Sequence, residues 1–294
     1  MDNQLYILPF DHRNSFIKVI LNIKERKPTK DEVNKAKELK NIIYESFKKA
    51  VEEGISKDNA GILTDDWLGL DVLKKAKEDK SIFCIPVEES GQEEFMFEKL
   101  FWKSYIKKWN PTYVKALVRY NPEGDKALNQ RQAKRLANLS RFLKKKNIKF
   151  MFELLVPPTE EEKVLENYDN KLRPELMIKA IDELHKAGVF PDVWKIEGLD
   201  KTEKMQSVAD KIKENDSNSK IIILGRGESK EHAELWLKSG AKVDTAIGFA
   251  VGRTVFQKPC EDYVNNKLSK EDAIKTIKEN YVHFVNIWKK AKSS

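Results

Sequence analysis

Cysteine is nearly missing from this 294-residue sequence: Cys84 and Cys260 stand far apart, without CxxC spacing. That argues against a disulfide framework and against a zinc knuckle, and leaves two ordinary thiols. Histidine is almost as scarce. His12, His185, His232 and His283 show no HxH or HExxH ligand spacing, and the last three fall in amphipathic segments where a packed or surface histidine is usual, so no metal is expected. Asp65 and Asp66 would have to face one Mg²⁺ together, whereas adjacent acids on a strand point to opposite faces. A helix cap before Trp67 is their expected use.

Long apolar runs are absent too. None approaches the roughly 20 residues that cross a bilayer, so no membrane partner is expected. The start, Met1-Asp2-Asn3-Gln4, lacks the charged and apolar regions of a secretory signal, which makes the cytoplasm the expected location. No Gly/Ser-rich linker, low-complexity tract or composition shift divides the chain, and residues 1–294 read as one domain.

What the chain has in quantity is charge. Lys plus Arg number 55 against 47 Asp plus Glu, a net of +8. The excess is spread through segments that also carry glutamates, and its densest stretch, RQAKRLANLSRFLKKKNIK, places Leu136, Leu139, Phe142 and Leu143 at helical spacing. A solvated helix face explains that basicity, so no nucleic-acid partner is expected; a basic surface equally suits an anionic sugar phosphate.

Short apolar runs alternate with longer amphipathic segments. The runs cover 5–10, 60–64, 81–87, 112–120, 149–156, 191–197, 220–225 and 245–251. Helices are expected over 30–53, 91–109, 126–146, 172–187, 200–214, 228–239 and 270–290, with room for another between Arg13 and Lys30 and an enlarged loop over 157–171. Eight βα units predict an α/β fold, a single-domain (β/α)8 TIM barrel.

Strand parity then makes the polar residues informative, because alternate side chains face the helices and the barrel interior. In DVWKIEG, Trp194 and Ile196 suit the helix side, which sends Val193, Lys195 and Glu197 inward. The same pattern sends Lys115, Leu117 and Arg119 inward from TYVKALVRY, Met151, Glu153 and Leu155 from KFMFELLV, and Ile7, Pro9 and Asp11 from LYILPFDHR. Asp11, Lys115, Glu153 and Lys195 therefore converge towards the C-terminal ends of four strands, where barrel enzymes hold their chemistry. A buried ion-pair network that fixes register is the structural alternative, though an apolar filling would stabilise the barrel better. A desolvated lysine beside another cation loses its proton more readily and becomes a nucleophile for a carbonyl carbon. Parity alone does not choose between Lys115 and Lys195.

Glycines mark the last two loops. Gly225-Arg226-Gly227 follows the seventh run and Gly252-Arg253 the eighth, the positions where barrels commonly bind a phosphate on exposed backbone N–H groups. Arg226 and Arg253 could add bidentate contacts.

The segments LPFDHRNSF, VRYNPEGD, FMFELLVPPT, RPELMIKAIDELHKAGVFPDVWKIEGLD, LGRG and GFAVGRTVF resemble the domain at the C-terminus of some bacterial myo-inositol catabolic sugar kinases, the 2-deoxy-5-keto-gluconate 6-phosphate aldolase family. They are more distantly similar to class I tagatose-1,6-bisphosphate and sulfofructose-phosphate aldolases. The resemblance covers nearly the whole chain. It implies that Lys195 is the Schiff-base lysine, that Asp11 is the acid beside it, that Lys115 and Glu153 take part in proton transfer, and that Arg253 binds phosphate. Gly225-Arg226-Gly227 departs from the smaller Ser-Ala-Gly-like loop of the distant relatives, and His12 stands where glutamine is often found. The kinase portion has no counterpart here, so the expectation is a lyase working alone.

The function so implied is cleavage of a ketose phosphate, most specifically 2-deoxy-5-keto-gluconate 6-phosphate into dihydroxyacetone phosphate and malonate semialdehyde, with no cofactor beyond an imine on Lys195. The phosphate would sit on Gly227, Gly252 and Arg253, and Arg13, Arg119 or Arg226 would meet the carboxylate. The alternatives are an aldolase or transaldolase for another sugar phosphate and a non-catalytic sugar-phosphate-binding barrel. A homo-oligomer is compatible with the sequence.

Overall fold

A computed structural model describes residues 4–23 and 26–294. Eight parallel strands close in sequence order into a barrel: β1 (Leu5–Pro9), β2 (Ala60–Leu63), β3 (Ile82–Pro86), β4 (Tyr113–Arg119), β5 (Lys149–Leu155), β6 (Val193–Glu197), β7 (Lys220–Leu224) and β8 (Ala246–Ala250). Helices α1 (Asn14–Ile20), α2 (Lys30–Glu52), α3 (Leu70–Glu78), α4 (Trp102–Trp109), α5 (Lys126–Lys146), α6 (Tyr168–Lys171), α7 (Arg173–Lys186), α8 (Thr202–Asn215), α9 (Lys230–Ala241), α10 (Arg253–Val264) and α11 (Lys270–Lys292) connect and surround them. This is the (β/α)8 barrel expected from eight alternating units.

Local chemistry explains several boundaries. Thr29 and Glu32 form a capping box at the start of α2, and the side chains of Asp125, Ser229 and Ser269 each accept a backbone N–H at the starts of α5, α9 and α11. The helix expected over 91–109 shrinks to α4. Gly91 adopts φ +83°, Glu88 bridges to Phe97 in antiparallel fashion, and Phe95 and Phe97 pack as alternating strand-like residues. The turn at Gly91 and the bridge override the helical spacing of Phe97, Leu100 and Phe101. Helix α1 occupies the gap after Arg13, and α3 and α10 are further helices beyond those expected; α10 carries Pro259 inside it. Of the gap between Arg13 and Lys30, residues 24 and 25 lie outside the described residues.

Parity holds in register. Tyr6, Leu8, Phe10, Val114, Ala116, Val118, Phe150, Phe152, Leu154, Trp194 and Ile196 sit in the large cluster between strands and helices. Leu5, Ile7, Leu63, Cys84, Tyr113, Met151, Val193, Ile222 and Ala250 form a separate apolar cluster inside the barrel. That plug floors the site above it. The barrel closes where Leu5 pairs with Gly248, and a Cβ at Gly248 would fall 1.8 Å from the Leu5 carbonyl oxygen, so only glycine permits the seam. From α11, Tyr281 donates its hydroxyl hydrogen to the Tyr6 carbonyl at 2.8 Å and Trp288 its indole N–H to Gln4 at 2.7 Å, tying α11 to β1 and the residue before it.

Candidate active site

A cavity of ≈ 610 Å³ opens at the C-terminal ends of the strands, and its floor is built from charged residues. Lys195 projects inward from β6 and Glu153 from β5; they are register partners, and Lys195 Nζ lies 2.8 Å from Glu153 Oε1. Lys115, from β4, lies 3.0 Å from Glu153 Oε2, 2.8 Å from Asp11 Oδ2 and 2.6 Å from Glu88 Oε1. Lys115 and Lys195 are 2% and 4% exposed, so both side chains are buried beneath the cavity.

Charge sorts these groups. Burial would lower Lys115, but Asp11, Glu153 and Glu88 together hold it well above the ordinary lysine value, which keeps it an ammonium. Burial would raise Asp11, but the Lys115 and Lys195 ammonium groups hold its carboxyl far below the usual carboxylate range. Glu153 is likewise lowered by Lys115 and Lys195 against the effect of burial. Lys195 differs from Lys115 in having one carboxylate partner, Glu153, where Lys115 has three.

The two glycine loops form the opposite rim. Gly227 adopts φ +77°, and a Cβ there would fall 2.3 Å from the Arg253 guanidinium carbon, so the glycine makes room for that side chain. Arg253 begins α10, whose N-cap is Gly252 with no side-chain cap, and its guanidinium donates to the Arg226 carbonyl. Arg253 forms no ion pair with a described residue. Gly225 lies on the cavity wall with Leu224 and Ala250.

The three arginines considered for a carboxylate differ in what they already hold. The Arg226 guanidinium spans three protein carboxylates: Glu197 at 3.1 Å, Asp169 at 3.2 Å and Glu228 at 3.1 Å. It lines the cavity but is neutralised by these partners. Arg13 pairs with Glu98 at 3.1 Å and donates to the Glu88 carbonyl at 3.1 Å, which ties down the loop after β3. Arg119, at the end of β4, donates to the Gln92 carbonyl at 2.9 Å and has no ion pair among the described residues.

His12 lines the cavity beside Asp11, packs edge-on to Phe256, and leaves Nδ1 buried without a partner. Burial lowers its pKa to about 4, so the ring is neutral near neutral pH. Glu197, expected inside the barrel, instead turns to the rim: Oε2 accepts the Val156 N–H at 3.2 Å and Oε1 the Arg226 guanidinium. Asp65 does not cap a helix as expected, because the next helix starts only at Leu70 with Gly69 at its N-cap; it holds a turn instead, accepting from the Trp67 and Leu68 N–H groups at 2.9 Å each, while its other oxygen meets the buried Lys40. Among the described residues, no group of three or more His, Cys, Asp or Glu side chains could hold a metal.

Sequence reasoning missed Glu88. It lies two residues beyond β3 on the same parity as Cys84, whose side chain points into the barrel. Extending that parity past Pro86 was the available signal.

Fold and floor together define a (β/α)8 barrel with a lysine–carboxylate centre at its C-terminal mouth. The chain belongs to the family described as uncharacterized protein conserved in bacteria (DUF2090), whose profile matches residues 1–292. No curated protein matches it by sequence. Among solved structures it is similar to a fructose-bisphosphate aldolase from Plasmodium falciparum, solved with TRAP and a small-molecule inhibitor, at a TM-score of 0.70 and 13% identity; the match covers 97% of this chain and 91% of that one. It is also similar to an archaeal fructose-1,6-bisphosphate aldolase whose catalytic lysine is covalently bound to a carbinolamine intermediate, at 0.61 and 13%, covering 97% and 94%. A Schiff-base-forming fructose-1,6-bisphosphate aldolase matches at 0.58 and 13%, covering 96% and 94%. At such identities the likeness is one of fold.

Proposed function

We propose that the chain is a class I aldolase that cleaves a ketose phosphate through an imine on Lys195. The observation that carries this reading is the inequality of the two buried lysines: Lys115 is locked as an ammonium by three carboxylates, while Lys195 faces Glu153 alone. Glu153 can take a proton from Lys195 across 2.8 Å, leaving the amine lone pair for attack on the ketone carbon. Loss of water from the carbinolamine gives an iminium. Removal of the proton from the β-hydroxyl then lets the C–C bond break, with its electron pair drawn into the iminium to leave an enamine. Glu153 serves both proton transfers, and Asp11 and Lys115 fix its position and charge. Gly227, Gly252, Arg253 and the uncapped start of α10 hold the phosphate. The solved relatives named as Schiff-base aldolases lend this reading support at the level of architecture.

The substrate we propose is 2-deoxy-5-keto-gluconate 6-phosphate, cleaved to dihydroxyacetone phosphate and malonate semialdehyde. Arg119 fits its carboxylate best, because Arg13 and Arg226 already face protein carboxylates. Strand order supports the span: β4, which ends at Arg119, and β8, which leads to Arg253, are four strands apart either way round, with β6 and Lys195 midway. Borohydride reduction with dihydroxyacetone phosphate, followed by peptide mass spectrometry, should find the adduct on Lys195; an unmodified Lys195 sinks the imine reading. A panel of ketose phosphates with and without a terminal carboxylate tests the substrate.

A further inference from the structure

Cleavage through an imine leaves an enamine, and its carbon needs a proton before the product can be released. Glu153 already serves the hydroxyl and the carbinolamine on the Lys195 side. Among the described residues the cavity lining offers no tyrosine and no cysteine for the second task. It does offer Glu88, whose Oε1 accepts from Lys115 at 2.6 Å while Oε2 is buried without any protein partner.

We propose that Glu88 is the proton carrier of the site, an acid positioned by Lys115 that delivers the hydrogen on Oε2 to the enamine carbon. The proposal rests on the imine reading. In this step the Oε2–H bond breaks and a C–H bond forms from the enamine π pair. The nitrogen lone pair restores the iminium, and Glu88 is left as a carboxylate beside the Lys115 ammonium. Hydrolysis releases the product; Glu153 gives the hydroxyl proton it took during cleavage to water, and Glu88 takes one from water, which closes the cycle.

The crowding of acids supports a proton on Glu88. Three carboxyl groups, Asp11, Glu88 and Glu153, share Lys115, and of these Glu153 alone also meets Lys195. Arg13, the nearest arginine to Glu88, gives its guanidinium to Glu98 and to the Glu88 backbone carbonyl, not to the Glu88 carboxyl. Asp11 feels both ammonium groups, whereas Glu88 shares Lys115 with two other acids, and burial raises its carboxyl despite Lys115 and Arg13.

The test separates imine formation from carbon protonation. In deuterium oxide, wild-type protein incubated with dihydroxyacetone phosphate should exchange one hydroxymethyl hydrogen, read by proton NMR, and give the Lys195 adduct with borohydride. Glu88→Gln keeps the shape and neutrality of a protonated acid. It should fold with unchanged thermal stability, still give the adduct, and exchange about 100-fold more slowly or worse. Glu88→Asp, which restores an acid, should recover part of the exchange. Exchange in Glu88→Gln within about threefold of wild type overturns the proposal, since an acid–base loss of this kind is at least tenfold larger. Failure of Glu88→Gln to fold while Glu88→Asp folds also overturns it, because that outcome marks an ionised counter-ion. Absence of the adduct in wild type removes the imine reading and this inference with it.

Discussion

The two mouths of the barrel hold cavities of the same size, ≈ 610 Å³ each, and their contrast shows what marks a site. At the N-terminal mouth the polar groups are occupied with structure. Asp192 accepts the Phe150 N–H at 2.7 Å, Gln4 accepts from Trp288, and Lys292 donates to the Val243 and Ala246 carbonyls. At the C-terminal mouth, buried charges face one another in unequal number and leave Glu88 Oε2 and His12 Nδ1 unpartnered. Volume is common to both ends. The cluster of buried, facing charges belongs to one, on the side of the apolar plug where barrel enzymes carry their function.

Substitutions can break this contrast. The largest effect is expected from Lys195→Met, which should lower cleavage by about 10⁴-fold or more and abolish borohydride trapping. Its counterpart at the other mouth, Lys149→Met, should leave both within twofold, since that exposed side chain only crosses the Tyr113 ring.

Lys115→Met comes next. It leaves three acids without their shared ammonium, and urea unfolding should register a loss of about 3–5 kcal/mol.

His12 sharpens the comparison through pH. Its pKa falls from 6.5 to about 4 on folding, so the unfolded chain binds the extra proton between those values. The stabilisation is therefore complete above pH 6.5 and is lost as pH falls towards 4, a change of about 3 kcal/mol. Unfolding measured across that window should show the slope in wild type and lose most of it in His12→Gln.

The smallest effect is expected of Gly227→Ala, which pushes the Arg253 guanidinium aside. It should raise KM for a phosphorylated substrate about tenfold with kcat nearly unchanged, because phosphate binding is uniform along the reaction.

The barrel was legible because eight apolar runs repeat, and the floor because parity in four strands admits one solution. Trp194 and Ile196 need the helix side, so Lys195 has nowhere else to go. Glu88 escaped because it stands in a charged segment, PVEESGQEEF, that reads as loop leading to helix. Glu197 escaped differently. Its partners, Arg173 and Arg226, arrive from α7 and from the loop after β7, and no local pattern announces contacts of that kind. Parity gives direction within a strand; at a strand's end the loops decide.

The seam between β1 and β8 carries a consequence for how the molecule comes into being. Leu5 leaves the ribosome well before its partner Gly248 and the α11 side chains that grip Tyr6 and Gln4. At ordinary synthesis rates the first strand waits on the order of 10–50 s for that edge to be covered. During that interval β1 is an open, apolar template of the kind that invites wrong pairing. Chaperones that shield nascent chains would act here on β1, on behalf of residues not yet made.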